Sequence, residues 1–111
     1  MQAFVDAMSA AGRQVDARDA IVLVLVDVPI GIHAGTEVWV GADPPQDFPT
    51  VPPHWVHLPE AIDLADGGKQ ASELGAGWAK WSRPHKRWVD CPKPGALWLA
   101  HARALLAGAL T

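Results

Sequence analysis

The sequence predicts a single α+β domain spanning residues 1–111, an antiparallel β-meander packed against an N-terminal and a C-terminal helix. Three observations carry that prediction. Residues 21–28 (IVLVLVDV) form a nearly continuous β-branched run, the pattern of a central strand covered on both faces. Residues 43–53 (DPPQDFPTVPP) hold five prolines, which exclude a helix or an inner strand because each removes a donor and fixes φ. Residues 95–110 (GALWLAHARALLAGAL) repeat apolar side chains at helical spacing.

Between these landmarks the elements follow in order. Residues 2–12 read as a short amphipathic helix through Phe4, Val5, Met8 and Ala11, with Gly12 as its terminator. Residues 13–19 are polar and read as a connection. Pro29 ends the first strand, and the Gly-containing stretch 29–35 turns the chain into a second strand at Glu37–Ala42, most simply a hairpin. Phe48 and Val51 anchor the proline-rich crossing, and residues 54–58 (HWVHL) read as a third strand closed by Pro59. Gly67 and Gly68 mark a turn, 70–74 one helical turn, and 78–94 an irregular Trp-rich basic segment. Pro94 suits the first turn of the last helix.

Composition narrows the function classes. Half of the residues are hydrophobic and 19% are charged, which argues against disorder and lets a chain of this size bury roughly two-thirds of its unfolded surface. The formal net charge of −3 gives no electrostatic footprint for nucleic acid. The longest apolar stretch, 20–26, is far too short to span a bilayer, and no basic start followed by an apolar run suggests a signal peptide. The lone cysteine, Cys91, has no internal disulfide partner and fits a reducing compartment. A cytoplasmic protein with neither a membrane nor a nucleic-acid partner is expected.

Six tryptophans and no tyrosine set the chain apart. Trp78, Trp81 and Trp88 are expected to pack on the last helix through Trp98 or Leu105. Lys80, Arg83, Lys86, Arg87 and Lys93 lie among them. Trp and Arg are the usual anchors of protein interfaces, so the expected binding residues are Trp78, Trp81, Arg83 and Trp88, with Phe48 from the crossing.

Cys91 sits between Asp90 and Pro92, near several cations that favour a thiolate. His85 could serve as a general base near neutral pH or as a structural donor between loops. These two are the candidate catalytic residues. His54 and His57, three apart on a strand, face opposite ways and make a poor metal pair. His33 and His101 are isolated, and there is no CxxC; no metal site and no cofactor is predicted. Asp63, Asp66 and Glu73 have a spacing that fits an exposed loop as readily as acid–base work.

The motifs carry a resemblance. The run 45–53 (PQDFPTVPP) ahead of the third strand matches the P-x-x-F/Y-P-x-x-P-P pattern of the ubiquitin-conjugating-enzyme-like (UBC-like) superfamily. The segment 77–88 (GWAKWSRPHKRW) is similar to the W-x-x-W-S-R-H…W segment of its prokaryotic family E, with Pro84 standing before His85. The likeness covers roughly residues 4–110. It implies a role in a bacterial ubiquitin-like modification system, with a ubiquitin-like protein or its activating enzyme as partner. Conventional members carry a thioester cysteine a few residues before the Trp-Ser segment. Eight residues before Trp81 this chain has Glu73, and a carboxylate does not store an acyl group as a thiolate does. The resemblance therefore implies a non-catalytic or non-conventional member. A thiol transferase using Cys91 with His85, and a scaffold module with no transfer role, are the alternatives.

Overall fold

The apolar run at 21–27 organises the molecule. Its Val22, Val24 and Val26 face joins one core with residues of both helices. The computed structural model describes residues 1–86, 88 and 93–111. Among them, helix α1 (Gln2–Ala10) precedes strands β1 (Val15–Arg18), β2 (Ile21–Asp27), β3 (Glu37–Ala42), β4 (Trp55–Pro59), β5 (Lys69–Ala71) and β6 (Trp78–Ser82), and helix α2 (Pro94–Ala107) closes the chain. The strands form one antiparallel sheet in the order β1-β2-β3-β4-β6-β5. The first four make a meander. A hairpin, β5–β6, then joins it through β6, leaving β1 and β5 as the edges. No helix among the described residues is long and apolar enough to cross a membrane.

Directly paired residues share a face, so the register sorts the side chains. One row runs Val22, Ala42, Val56, Trp81 across four strands. With Val24, Val26, Val38, Val40 and Leu58 it forms the face that meets Phe4 and Met8 of α1 and Trp98, Leu99, Ala102 and Leu106 of α2 in one core. The Phe4 ring stands edge-on to Phe48 and to Trp98, each at 5.2 Å between centroids. The proline-rich crossing is thereby pinned to both helices through one aromatic side chain. The next row, Leu23, Gly41, His57, Lys80, lies on the opposite face.

Four sequence expectations are corrected. Residues 13–19 are not only a connection, since 15–18 form β1. Only Val15 of β1 packs on the core, so a one-sided edge strand shows no alternation to read. Within 70–74, the expected helical turn gives way to the end of β5, which pairs with β6 through Lys69, Gln70 and Ala71. The start of the supposed irregular segment is β6, whose pattern alternates between half-buried Trp78 and Lys80 and buried Ala79 and Trp81. That period of two also corrects the expected tryptophan packing. Trp81 and Trp88 join Trp98 in the core, with Leu105 at its margin, while Trp78 pairs with Pro59 on the other face.

Candidate functional site

The site grows from a pair of residues facing each other across two strands, Gly41 on β3 and His57 on β4. A Cβ at Gly41 would stand 2.8 Å from the His57 Cβ and 3.1 Å from Ile21 Cγ2. The missing side chain is what admits an imidazole onto this face. His57 is 0% exposed, so both ring nitrogens need partners. Nε2 lies 2.5 Å from Asp43 Oδ1, just past the end of β3. Nδ1 lies 2.7 Å from Ser72 Oγ, just past the end of β5.

The directions of these bonds follow from the groups. A carboxylate only accepts, so Nε2–H donates to Asp43. In the neutral ring Nδ1 is then bare and accepts from the Ser72 hydroxyl. Ser72 Oγ also accepts the Leu74 backbone N–H at 3.0 Å, which fixes the hydroxyl and leaves its proton free for Nδ1. Asp43, His57 and Ser72 thus form a hydrogen-bonded serine–histidine–aspartate chain, a relay with the two ring nitrogens used in the reverse of their order in the serine-protease triad.

The surroundings are charged. Lys80, paired with His57 across β4 and β6, donates to Glu73 Oε1 at 2.5 Å and lies 4.5 Å from the centre of the Trp55 ring. The Lys80 hydrogen bond holds the Glu73 carboxyl below its usual range. Ligand atoms of Asp43, His57 and Glu73 lie within 4.8 Å of one another, so these three could hold a divalent cation, with the Lys80 ammonium already serving Glu73. Two clefts flank the relay. Ser72 lines one of about 580 Å³ with Lys69, Ala71, Gly75, Gly77 and Trp78. Asp43 and Glu73 line another of about 470 Å³ with Arg18, Asp19 and Leu74.

The residues singled out from the sequence fall elsewhere. Cys91, Asp90 and Arg87 lie outside the described residues. The His85 ring stacks on His101 at 3.9 Å between centroids and meets Trp88 at 4.6 Å. Burial, and then the neighbouring His101, lower the His85 pKa to about 4. Burial also lowers that of His101, whose Nε2–H donates to the Arg83 carbonyl at 3.0 Å. Arg83 Nη2 in turn donates to the carbonyls of Ala65 and Gly67, at 2.6 and 2.8 Å, fastening that loop to the end of β6. Phe48, Trp81 and Trp88 are buried in the core, and Trp88 Nε1 donates to the Pro49 carbonyl at 2.7 Å. Trp78 is half-buried at the Ser72 cleft, and Lys86 and Lys93 are exposed. Asp63 pairs with Lys69 at 2.7 Å. His54 and His57 turn to different partners, His54 to Ser82 Oγ at 2.5 Å.

Asp43 and Ser72 carry no sequence signal, and the sequence presents His57 only as one of two histidines three apart. The available pointer was Gly41, a glycine inside a strand, which marks a close approach of another group. Compared with protein-family models, with curated proteins and with solved structures, the chain matches none.

Proposed function

We propose that this chain is a UBC-like protein, akin to prokaryotic family E, that binds a ubiquitin-like protein or its activating enzyme in the bacterial cytoplasm and does not itself carry the tag as a thioester. The observation that supports the reading is the proline-rich crossing. It leaves β3 at Ala42, enters β4 at Trp55, and is anchored by Phe48 against Phe4 and Trp88. A helix at each end of the chain, with the crossing set between two neighbouring strands of an antiparallel sheet, supports the reading. Glu73, eight residues before Trp81, where the resemblance would put a thiol, is paired with Lys80. The transferase alternative needs His85 as a base for Cys91, and a pKa of about 4 makes a weak base at neutral pH.

The test is a charging assay with a ubiquitin-like protein, its activating enzyme and ATP, read on a non-reducing gel beside a binding measurement. Binding without a thiol-sensitive adduct is the expected result. An adduct lost in Cys91→Ser supports the transferase instead, and failure to bind either partner removes the reading.

A further inference from the structure

From the geometry of the relay we infer that Ser72 is a reactive nucleophile, able to take an acyl group from an ester or thioester seated in the cleft beside it. The inference stands apart from the proposed function, because it needs neither a ubiquitin-like protein nor Cys91.

Three features carry it. First, a serine hydroxyl becomes nucleophilic when a positioned base accepts its proton, and Ser72 Oγ stands 2.7 Å from His57 Nδ1. Second, the base is itself oriented. Asp43 at 2.5 Å fixes the proton on Nε2 and so keeps Nδ1 bare, and the ring is fully buried with a hydrogen-bond partner at each nitrogen. Third, Ser72, although only 9% exposed, is among the residues that line a cleft of about 580 Å³, while the His57 ring beside it is fully buried.

The cleft also indicates what it would take. Ala71, Ala76, Ala79 and Trp78 give it apolar walls. The charges at its margin, Lys69 and Glu60, neutralise each other at 3.1 Å. An uncharged, small acyl group fits this lining better than a charged one.

The step balances without a further reagent. Ser72 Oγ bonds to the acyl carbon as its proton passes to His57 Nδ1, and Asp43 stabilises the resulting imidazolium. The bond from the acyl carbon to the leaving oxygen or sulfur breaks, and the leaving group takes the proton from Nδ1. Water then attacks the acyl carbon and gives a proton to Nδ1. The Ser72 ester bond breaks, and Oγ recovers the proton.

The test uses the intact chain with a fluorophosphonate, with p-nitrophenyl acetate as the ester and with S-phenyl thioacetate as the thioester. Mass spectrometry of the unaltered protein should find the adduct on the peptide containing Ser72, a reading that does not depend on any variant folding. Ser72→Ala should abolish it. Ser72→Cys, made in a Cys91→Ser background, should restore covalent capture. Asp43→Asn should slow acylation by a factor on the order of 10²–10⁴. Acylation by only one of the two acyl probes identifies the leaving group the site prefers and still supports the proposal. No adduct at Ser72 with any probe, an adduct that survives Ser72→Ala, or a rate unchanged in Asp43→Asn overturns it.

Discussion

Arg103, in the last turns of α2, places its Nη2 2.5 Å and its Nε 3.1 Å from one and the same oxygen of Asp27, the residue that ends β2. Arg13 reaches that oxygen too, at 3.0 Å. The final helix, the first loop and the central strand are thus tied at a single half-exposed carboxylate. The hydrogen bond from Arg103 leads the effects that hold the Asp27 pKa below its usual value. A carboxyl lowered in the folded state contributes stability above its unfolded pKa, and that contribution is lost as pH falls through the folded value. Asp27→Asn should therefore lower Tm at pH 7 and flatten the acid limb of the Tm–pH curve. An unchanged acid limb would show the triad to be without weight, as many exposed ion pairs are.

The stacked histidines act in a higher pH window. His85, lowered from 6.5 to about 4, and His101, lowered by burial, stay neutral in the folded protein where an unfolded chain would protonate them. The unfolded state then binds more protons, so stability should fall as pH drops from about 6.5 toward 4. The groups facing the pair are Trp88 and Arg83, with Lys86 beside them. Tm measured across this range should decline, and His85→Asn should reduce the decline. A Tm flat between pH 7 and 4.5 would contradict the half-buried stack.

Trp81 is 2% exposed in the core, and its Nε1 is buried without an acceptor among the described residues. Trp81→Ala removes a large packed side chain and should cost about 3–5 kcal/mol. Trp81→Phe removes the unsatisfied N–H together with only part of the volume, so its cost should be well below that of Ala. Denaturant unfolding of the two variants checks the order, and equal losses would refute it.

Gly41→Ala should destabilise by about 1–3 kcal/mol, the range for overpacking a filled site. The added methyl meets the Cβ of His57 rather than the tip of a flexible chain. The same substitution should shift the His57 ring resonances in an NMR spectrum, whereas a neutral, silent Gly41→Ala would mean that the ring has slack.

Much of the sheet was legible because burial wrote it into the residue types. The β2 run is apolar on both faces, β3 alternates, and the prolines of 43–53 can be neither helix nor inner strand. The edges were not legible. In β1 only Val15 packs inward, and β5 is three exposed residues. In β6 the alternation was present, but the aromatic and basic residues around it masked it. The relay escaped for a different reason. Asp43 and Ser72 lie 14 and 15 residues from His57, on connections whose paths only the folded sheet defines, and serine and aspartate in loops are ordinary. His57 was visible as a residue and invisible as a hub.

The brevity of β1 and β5 has a consequence for life in a crowded solution. An open sheet offers unpaired backbone at both margins, a template on which other chains can polymerise. Here one margin is four residues long and carries Asp16 and Arg18, which bond each other at 3.1 Å. The other is three residues long and begins at Lys69, whose ammonium is held by Glu60 and Asp63. An incoming strand would gain few backbone bonds at either margin and would have to desolvate fixed charges to make them. The same short, polar edges that hid these strands from the sequence protect a strongly hydrophobic central strand from fibrillar self-association.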